Sequence, residues 1–208
     1  MSAPADLVKR GRKFDQVVSG ARIVFLRDGF EGASVDDIAR EAAVSKATLY
    51  SYFPDKRALF MEALLYQCQH QTVADLSDID QNQPPDVVLY QAGQNILNVF
   101  LSVSGKQFFR IGLAESERFP EFAAEFYECG PRNLRLKLTR YLARAVSLGH
   151  LQIDDIALAS EQFVELCKAR LFSRYLFGVQ TEFSDKERKD VIDAAVAMFL
   201  ARHGTGTR

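Results

Sequence analysis

The stretch SVDDIAREAAVSKATLYSYFPDK, residues 34–56, constrains this chain more than any other. It reads as two short helices around a tight turn, followed by the start of a third. Ser34 caps the first helix, with Asp37 three residues on to close a capping box. Val35, Ile38, Ala39 and Ala42 recur at helical spacing and give that helix a buried face. Val44 sits in the turn and pins the two helices together. Ser45 caps the second helix, in which Leu49 and Phe53 share the inner side. Pro54 marks its end, because proline removes an amide donor and clashes inside a helix. This is the pattern of a helix-turn-helix, with residues 46–53 as the helix that enters the major groove.

The flanks extend the same logic. Phe14, Val17, Val18, Ala21, Val24 and Phe25 form one face of a helix over about 12–28. Gly29 follows as a left-handed cap and Phe30 packs back. The next helix starts near Asp55 and runs through Leu59, Phe60, Ala63, Leu64 and Tyr66 to about Leu76, past what a three-helix head needs. A continuous helix leaving the head would couple it mechanically to the rest of the chain. Residues 77–86 are polar and proline-rich, a loop.

The remainder is helical. Residues 87–103 are apolar on several faces, as in a helix wrapped by others. A short helix spans Lys106–Glu117, and Pro120 opens another that Gly130-Pro131 breaks or kinks before it runs on to Gly149. Asp154 or Asp155 caps a helix over about 156–177, ended by Gly178. Ser184 and Glu187 form a second capping box for a last helix that stops before Gly204. There is no alternating strand pattern and no internal repeat. The expected class is therefore all-α, a head followed by a larger helical domain.

Charge and cysteine content narrow the function. The formal net charge is -1, which argues against a non-specific polyanion coat but not against one local DNA-reading face. Residues 1–60 carry ten Lys and Arg against eight Asp and Glu, and residues 61–208 sixteen against nineteen. Lys9, Arg10, Arg12 and Lys13 cluster before the first helix, either as a frayed soluble terminus or as an arm for phosphates or the minor groove. Cys68, Cys129 and Cys167 are scattered and fit reduced thiols. With no signal segment and no run of 18 apolar residues, the expectation is a cytoplasmic protein. His70, His150 and His203 are too sparse for a metal cluster, and Cys68 with His70 is the nearest approach to a ligand pair. Neither a catalytic triad nor a phosphate-cradling glycine loop is present, so no enzyme, metal or cofactor is expected.

Taken together, Phe14 to Leu65 resembles the head of a TetR/AcrR-type transcriptional regulator. The likeness rests on Gly29-Phe30, Ser34-Val35-Asp36-Asp37-Ile38-Ala39, Val44-Ser45-Lys46, Thr48-Leu49-Tyr50, Tyr52-Phe53, Lys56 and Leu59-Phe60. Ala114 to Glu121 and Cys129-Gly130-Pro131 look like a multidrug-efflux-repressor branch. The resemblance implies about nine helices: a helix-turn-helix head over 1–55, with 1–11 loose or arm-like, and an effector-binding and dimerisation domain over 56–208. It implies a homodimer on a palindromic operator, released by a small molecule. One departure is Ala43, where the family often has glycine. If that position needs positive φ, alanine costs roughly 1 kcal/mol.

On the reading face, Ser45 and Thr48 reach phosphate or base edges, and Lys46 is a phosphate or guanine-edge donor. Ala47 offers a methyl contact, Ser51 points outward, and Tyr50 and Tyr52 carry hydroxyls for the backbone. Lys56 resembles the family lysine that clamps a phosphate, and Ser34 stands at the second helix. No arginine lies in the reading helix. The aromatics Phe100, Phe108, Phe109, Phe122, Phe126, Tyr127, Tyr141 and Phe163 are either an ordinary Phe-rich core or, as a group, candidate effector contacts that suit an apolar or aromatic molecule. Gln107, Arg110, Glu115 and Glu165 are the polar groups that would orient it. The last two helices carry more apolar surface than one layer needs; either a four-helix bundle between two copies covers it, or both helices simply pack inside the monomer. The candidate residues of such a bundle are Phe163, Leu166, Arg170, Leu171, Tyr175, Val191, Ile192, Ala195 and Phe199. Two alternatives stay open: a helical interaction module without operator specificity, and an activator rather than a repressor.

Overall fold

A computed structural model of the chain describes residues 11–70 and 79–206, with the side chains of 67–70 outside that description. Lys9, Arg10, and the side chains of Cys68 and His70 lie outside the described residues. The helices are α1 Arg12–Gly32, α2 Val35–Glu41, α3 Lys46–Tyr52, α4 Lys56–His70, α5 Pro85–Phe100, α6 Val103–Ala114, α7 Pro120–Tyr127, α8 Asn133–Ser147, α9 Ile156–Lys168, α10 Leu171–Leu176 and α11 Asp185–His203. A π-helical turn, Glu128–Arg132, joins α7 to α8 and holds Pro131. Among the described residues there is no strand, only an isolated bridge between Leu151 and Gly204. The all-α expectation holds.

The chain packs as two compact units, Met1–Gln71 with Ile111–Phe126, and Thr72–Arg110 with Tyr127–Arg208. In the first, α1 buries Phe14, Val17, Val18, Ala21, Val24 and Phe25, the face the spacing predicts. A Cβ on Gly20 would stand 2.7 Å from the Ala42 amide nitrogen, so only glycine lets α1 cross the end of α2 this closely. Phe60 is the hub of the unit. Its ring meets Phe25 at 5.0 Å, Phe30 at 5.2 Å, Phe119 at 4.9 Å and Phe122 at 5.4 Å. Fully burying such a ring contributes about 2–3 kcal/mol, and edge-to-face partners add about 0.5–1.5 kcal/mol each. Residues 111–126 thus pack with the head, although they follow it by some fifty positions in the chain.

In the second unit α5 packs on α9 and α11, and α8 on α9. Leu89, Ile96, Leu97, Leu138, Leu142, Phe163, Cys167 and Ile192 lie in its core. Gly93 admits the close approach there, since a Cβ would be 3.0 Å from Ile192 Cγ2 and 3.3 Å from Cys167 Sγ. Ser184 and Glu187 close the predicted capping box at α11.

Three expectations need correction. The single helix expected over 156–177 is two, split at Arg170 with φ 68° and ψ -38°. The Leu171 amide bonds back to the Ala169 carbonyl at 2.8 Å, a γ-turn that no glycine or proline announces. Gly29, at φ 73° and ψ -178°, breaks α1 without being a left-handed cap, and one more turn follows it. The three thiols are not all reduced, because Cys129 is disulfide-bonded, while Cys167 is free and buried. Spacing along a chain does not tell which cysteines meet in space.

Candidate nucleic-acid interface

The reading motif is built by two caps and one strained turn. Ser34 Oγ accepts the Asp37 amide at 3.0 Å and donates to Asp37 Oδ2 at 2.6 Å, so the expected capping box forms only by half: the Asp37 carboxylate takes the Ser34 hydroxyl and not the Ser34 amide. That bond, then the one from Arg40, holds the Asp37 carboxyl below its ordinary value. The turn after α2 is a Schellman motif: the Val44 amide bonds to the Ala39 carbonyl at 3.0 Å and the Ala43 amide to Arg40 at 3.1 Å. Ala43 therefore takes the left-handed position, at φ 51°. The strain that the Ala43 departure implied is present.

Ser45 caps α3, its Oγ accepting the Thr48 amide at 3.0 Å. The two hydroxyls are also 2.9 Å apart. Leu49 and Phe53 are buried, which turns Ser45, Lys46, Ala47, Tyr50 and Ser51 to solvent. Ser51 Oγ donates to the Thr48 carbonyl at 2.6 Å. Thr48 and Tyr52 are half-buried, and Tyr52 meets Phe14 edge-on at 5.8 Å. Lys46 is ion-paired with Asp36 at 2.5 Å, and that hydrogen bond raises the ammonium above its ordinary value. Arg12 and Lys13 are exposed at the start of α1.

Lys56 is not a free surface lysine. Its Nζ donates to the Ala33 carbonyl at 2.9 Å and sits 4.5 Å from the Phe30 ring centre. It ties the start of α4 to the α1–α2 turn beside Ser34. Two of its three donors remain for another acceptor.

The eight candidate effector aromatics divide between the two units. Phe122 and Phe126 belong to the first unit, with Phe122 fully buried against Phe60. In the second unit, Phe163 is buried against Phe199 at 5.3 Å, Tyr141 and Phe108 are buried, and Tyr127 is exposed. Burial pushes the Tyr141 hydroxyl up to about 12. Phe100 and Phe109 do meet, around Phe172 at 5.0 and 5.2 Å. The Lys168 ammonium lies 4.8 Å from Phe100, and Lys106 lies 4.7 Å from Tyr175. Sequence reasoning missed Phe172, Lys106 and Lys168, since helical spacing does not disclose which helices face each other. Of the polar candidates, Gln107 and Arg110 are exposed, Glu165 is engaged by Lys168, and Glu115 turns to the head.

The candidate dimer residues are also redistributed. Phe163, Leu171, Tyr175, Ile192, Ala195 and Phe199 fill the chain's own core, Leu166 and Val191 are half-buried, and Arg170 is exposed. A side chain spent on its own core cannot face a partner. What these helices leave outward is Leu158 at 49% exposure and Met198 at 61%, with Ala194, Ala197 and Ala201 beside Met198 on one face of α11.

Comparison with known proteins bears on both units. Residues 17–63 match the family model for bacterial regulatory proteins of the tetR family, and residues 87–205 the model for the C-terminal domain of AefR-like transcriptional repressors. The chain belongs to the TetR family of transcriptional regulators. That makes it a DNA-binding regulator rather than an enzyme. Among solved structures similar to this TetR chain is the flavonoid-responsive regulator FrrA, 32% identical, with a TM-score of 0.78, covering 95% of this chain and 100% of that one. The biofilm operon icaADBC negative transcriptional regulator IcaR of Staphylococcus aureus is 24% identical over 197 residues, 90% of this chain and 99% of its own. YdeS of Bacillus subtilis, an uncharacterized HTH-type transcriptional regulator, is 27% identical over 194 residues, 88% and 90% of the two chains. No helix among the described residues is long and apolar enough to cross a membrane.

Proposed function

We propose that this TetR-family chain is a ligand-responsive repressor, acting in the cytoplasm, that binds a palindromic operator as a homodimer and releases it when a small aromatic molecule binds the second unit. The observation that carries the proposal is the outward set of α3, Ser45, Lys46, Ala47, Tyr50 and Ser51, on a helix whose inner face is anchored by Leu49 and Phe53. In this reading Ser34, Thr48, Tyr52 and Lys56 support it from half-buried positions, and Arg12 and Lys13 extend it along the phosphates. With no arginine on α3, specificity rests on Thr48, Lys46, methyl contacts and DNA shape.

Repression is supported by IcaR, described as a negative regulator, and by the AefR-like repressor model. An aromatic effector is supported by the flavonoid response of FrrA. It is also supported by Phe100, Phe109 and Phe172 with the ammonium groups of Lys106 and Lys168 close by, a combination suited to a flat ring bearing an acidic hydroxyl. The proposed dimer face is Leu158 and Met198 with Ala194, Ala197 and Ala201, the three alanines leaving room for two helix pairs to pack closely. The head is the DNA-binding domain and the remainder receives the effector. The test is selection of bound sequences from a random duplex pool. Enrichment of a short inverted repeat supports the reading, and no enrichment overturns it in favour of an interaction module without operator specificity.

A further inference from the structure

Among the described residues, the two most exposed large apolar side chains stand on one turn, between α10 and α11: Phe177 at 81% and Val179 at 77%. The turn is ordered by its own hydrogen bonds. Gly178 takes φ 73°, the Gly178 amide bonds to the Tyr175 carbonyl at 3.1 Å, and the Val179 amide bonds to the Arg174 carbonyl at 2.9 Å. This is a Schellman closure of α10. Gln180 Nε2 then donates to the Glu182 carbonyl at 2.9 Å and to Glu187 Oε1 at 3.2 Å, which ties the turn to the first turn of α11. Two large apolar groups held side by side in water on an ordered turn mark an interaction site.

The place of the turn on the second unit says what can cover it. Glu187, Ala194 and Ala201 follow one another at intervals of seven and share one face of α11. The turn, bound to Glu187, therefore stands at the N-terminal end of the face that holds Met198. Leu158 stands at the other end. Asp154 lies 4.0 Å from Arg202, and the Gln152 amide bonds to the His203 carbonyl at 2.8 Å, so the start of α9 runs beside the end of α11. From Glu187 to Ala201 the helix rises about 21 Å.

The two ends differ in charge. Residues 169–184 carry Arg170 and Arg174, both exposed, against Glu182. Residues 150–161 carry Asp154, Asp155 and Glu161, all exposed, and no Lys or Arg. Arg174 is three positions before Phe177, and the three acids are three or four positions from Leu158, so each apolar group is flanked by its charges on one side of its helix. A two-fold axis perpendicular to α11 at the middle of its face sets two copies of the helix antiparallel and lays each end on the opposite end of the other copy. Arginines then meet acids, and apolar side chains meet between them. A parallel pair would set arginines on arginines and acids on acids.

We propose that the Phe177–Val179 turn of one copy docks on Leu158 of a second copy of this chain, and that two such contacts close the two ends of the dimer face. The inference rests on the reading of the chain as a dimer through α9 and α11. It adds the direction in which the two copies run and the group that covers the turn.

The test is cross-linking of the full chain with a bismaleimide far shorter than the length of α11. Cys167 is buried and Cys129 is disulfide-bonded, and wild type sets the background. The double variant Phe177→Cys/Leu158→Cys is expected to give a covalent dimer, and Phe177→Cys alone or Leu158→Cys alone to give none above wild type. Phe177→Ser is expected to weaken the dimer by about tenfold or more in sedimentation velocity, with unchanged helical circular dichroism. Covalent dimer from Phe177→Cys alone sets turn against turn and overturns the proposal. A double variant that sediments as a dimer and gives no cross-link, or a Phe177→Ser dimer as tight as wild type, overturns the docking and leaves the dimer reading standing. A wild type that sediments as a monomer overturns the dimer reading and the docking with it.

Discussion

Lys46 Nζ lies 2.5 Å from Asp36 Oδ1, so the principal cation of α3 is already engaged by the first turn of α2. Both groups are more than half exposed, and such pairs are worth little in water. A phosphate can therefore take Lys46 over, but only in competition with Asp36. Asp36→Asn removes the competitor and a like charge facing the DNA. The expected outcome is tighter binding to every duplex, by roughly two- to fivefold at low salt. Lys46→Ala weakens binding to all sequences and reduces the salt slope by about one. Fluorescence anisotropy across a salt series reads both.

Ala43 holds φ 51° because the Schellman hydrogen bonds of Val44 and Ala43 require it. A left-handed alanine costs about 1–2 kcal/mol, part of which is offset by the greater chain entropy glycine brings to the unfolded state. Ala43→Gly is expected to stabilise the protein by about 0.5–1 kcal/mol, measured by urea denaturation, with the fold unchanged.

These two sites show where sequence was sufficient. Caps and turns are local, so Ser34, Ser45, Ser184 with Glu187, and the strain at Ala43 could all be read from a few neighbouring residues. The buried face of α1 was legible for the same reason, through periodicity alone. Arg170 was not legible, since a γ-turn at an arginine is set by packing of α9 and α10 rather than by residue type. Nor was Glu115, whose partner amide lies 85 positions away. The aromatic and dimer residues are a third case. Periodicity identifies an apolar stripe but not whether the chain's own core or another molecule covers it, and Phe163, Ile192 and Phe199 went to the core.

The face that remains on α11 gives a direct expectation. Met198→Asp places a charge among Ala194, Ala197 and Ala201, on an exposed surface where it does not disturb the monomer core. A dimer packed through this face must desolvate that carboxylate, a cost that removes most of the affinity. Sedimentation velocity is expected to show dimer for the wild type and monomer for Met198→Asp, with unchanged helical circular dichroism. Phe199→Asp is expected to unfold the second unit instead.

Cys167 sets a pH dependence in the alkaline range. Burial pushes its thiol up to about 12, above the ordinary value of about 8.5 that it regains when unfolded. Between those values the folded state keeps a proton that the unfolded state has lost. Stability therefore falls as pH rises through that window, by up to about 1.4 kcal/mol per pH unit from this group. The Cys167→Ala variant is expected to lose less stability than the wild type between pH 9 and 11, followed by urea melts. Iodoacetamide is expected to leave Cys167 unmodified in native protein at pH 8 and to label it in denaturant.

Everything in the proposed mechanism depends on two copies of the α3 face reading one duplex. Equilibrium binding should be measured to the palindrome that the wild type selects, and to the same duplex with one half-site scrambled. The expected result is two protomers on the palindrome and a loss of about a hundredfold in affinity or more on scrambling, with Thr48→Ala and Tyr50→Ala erasing the difference. Equal affinity for the two duplexes, or the same discrimination in those variants, would contradict it.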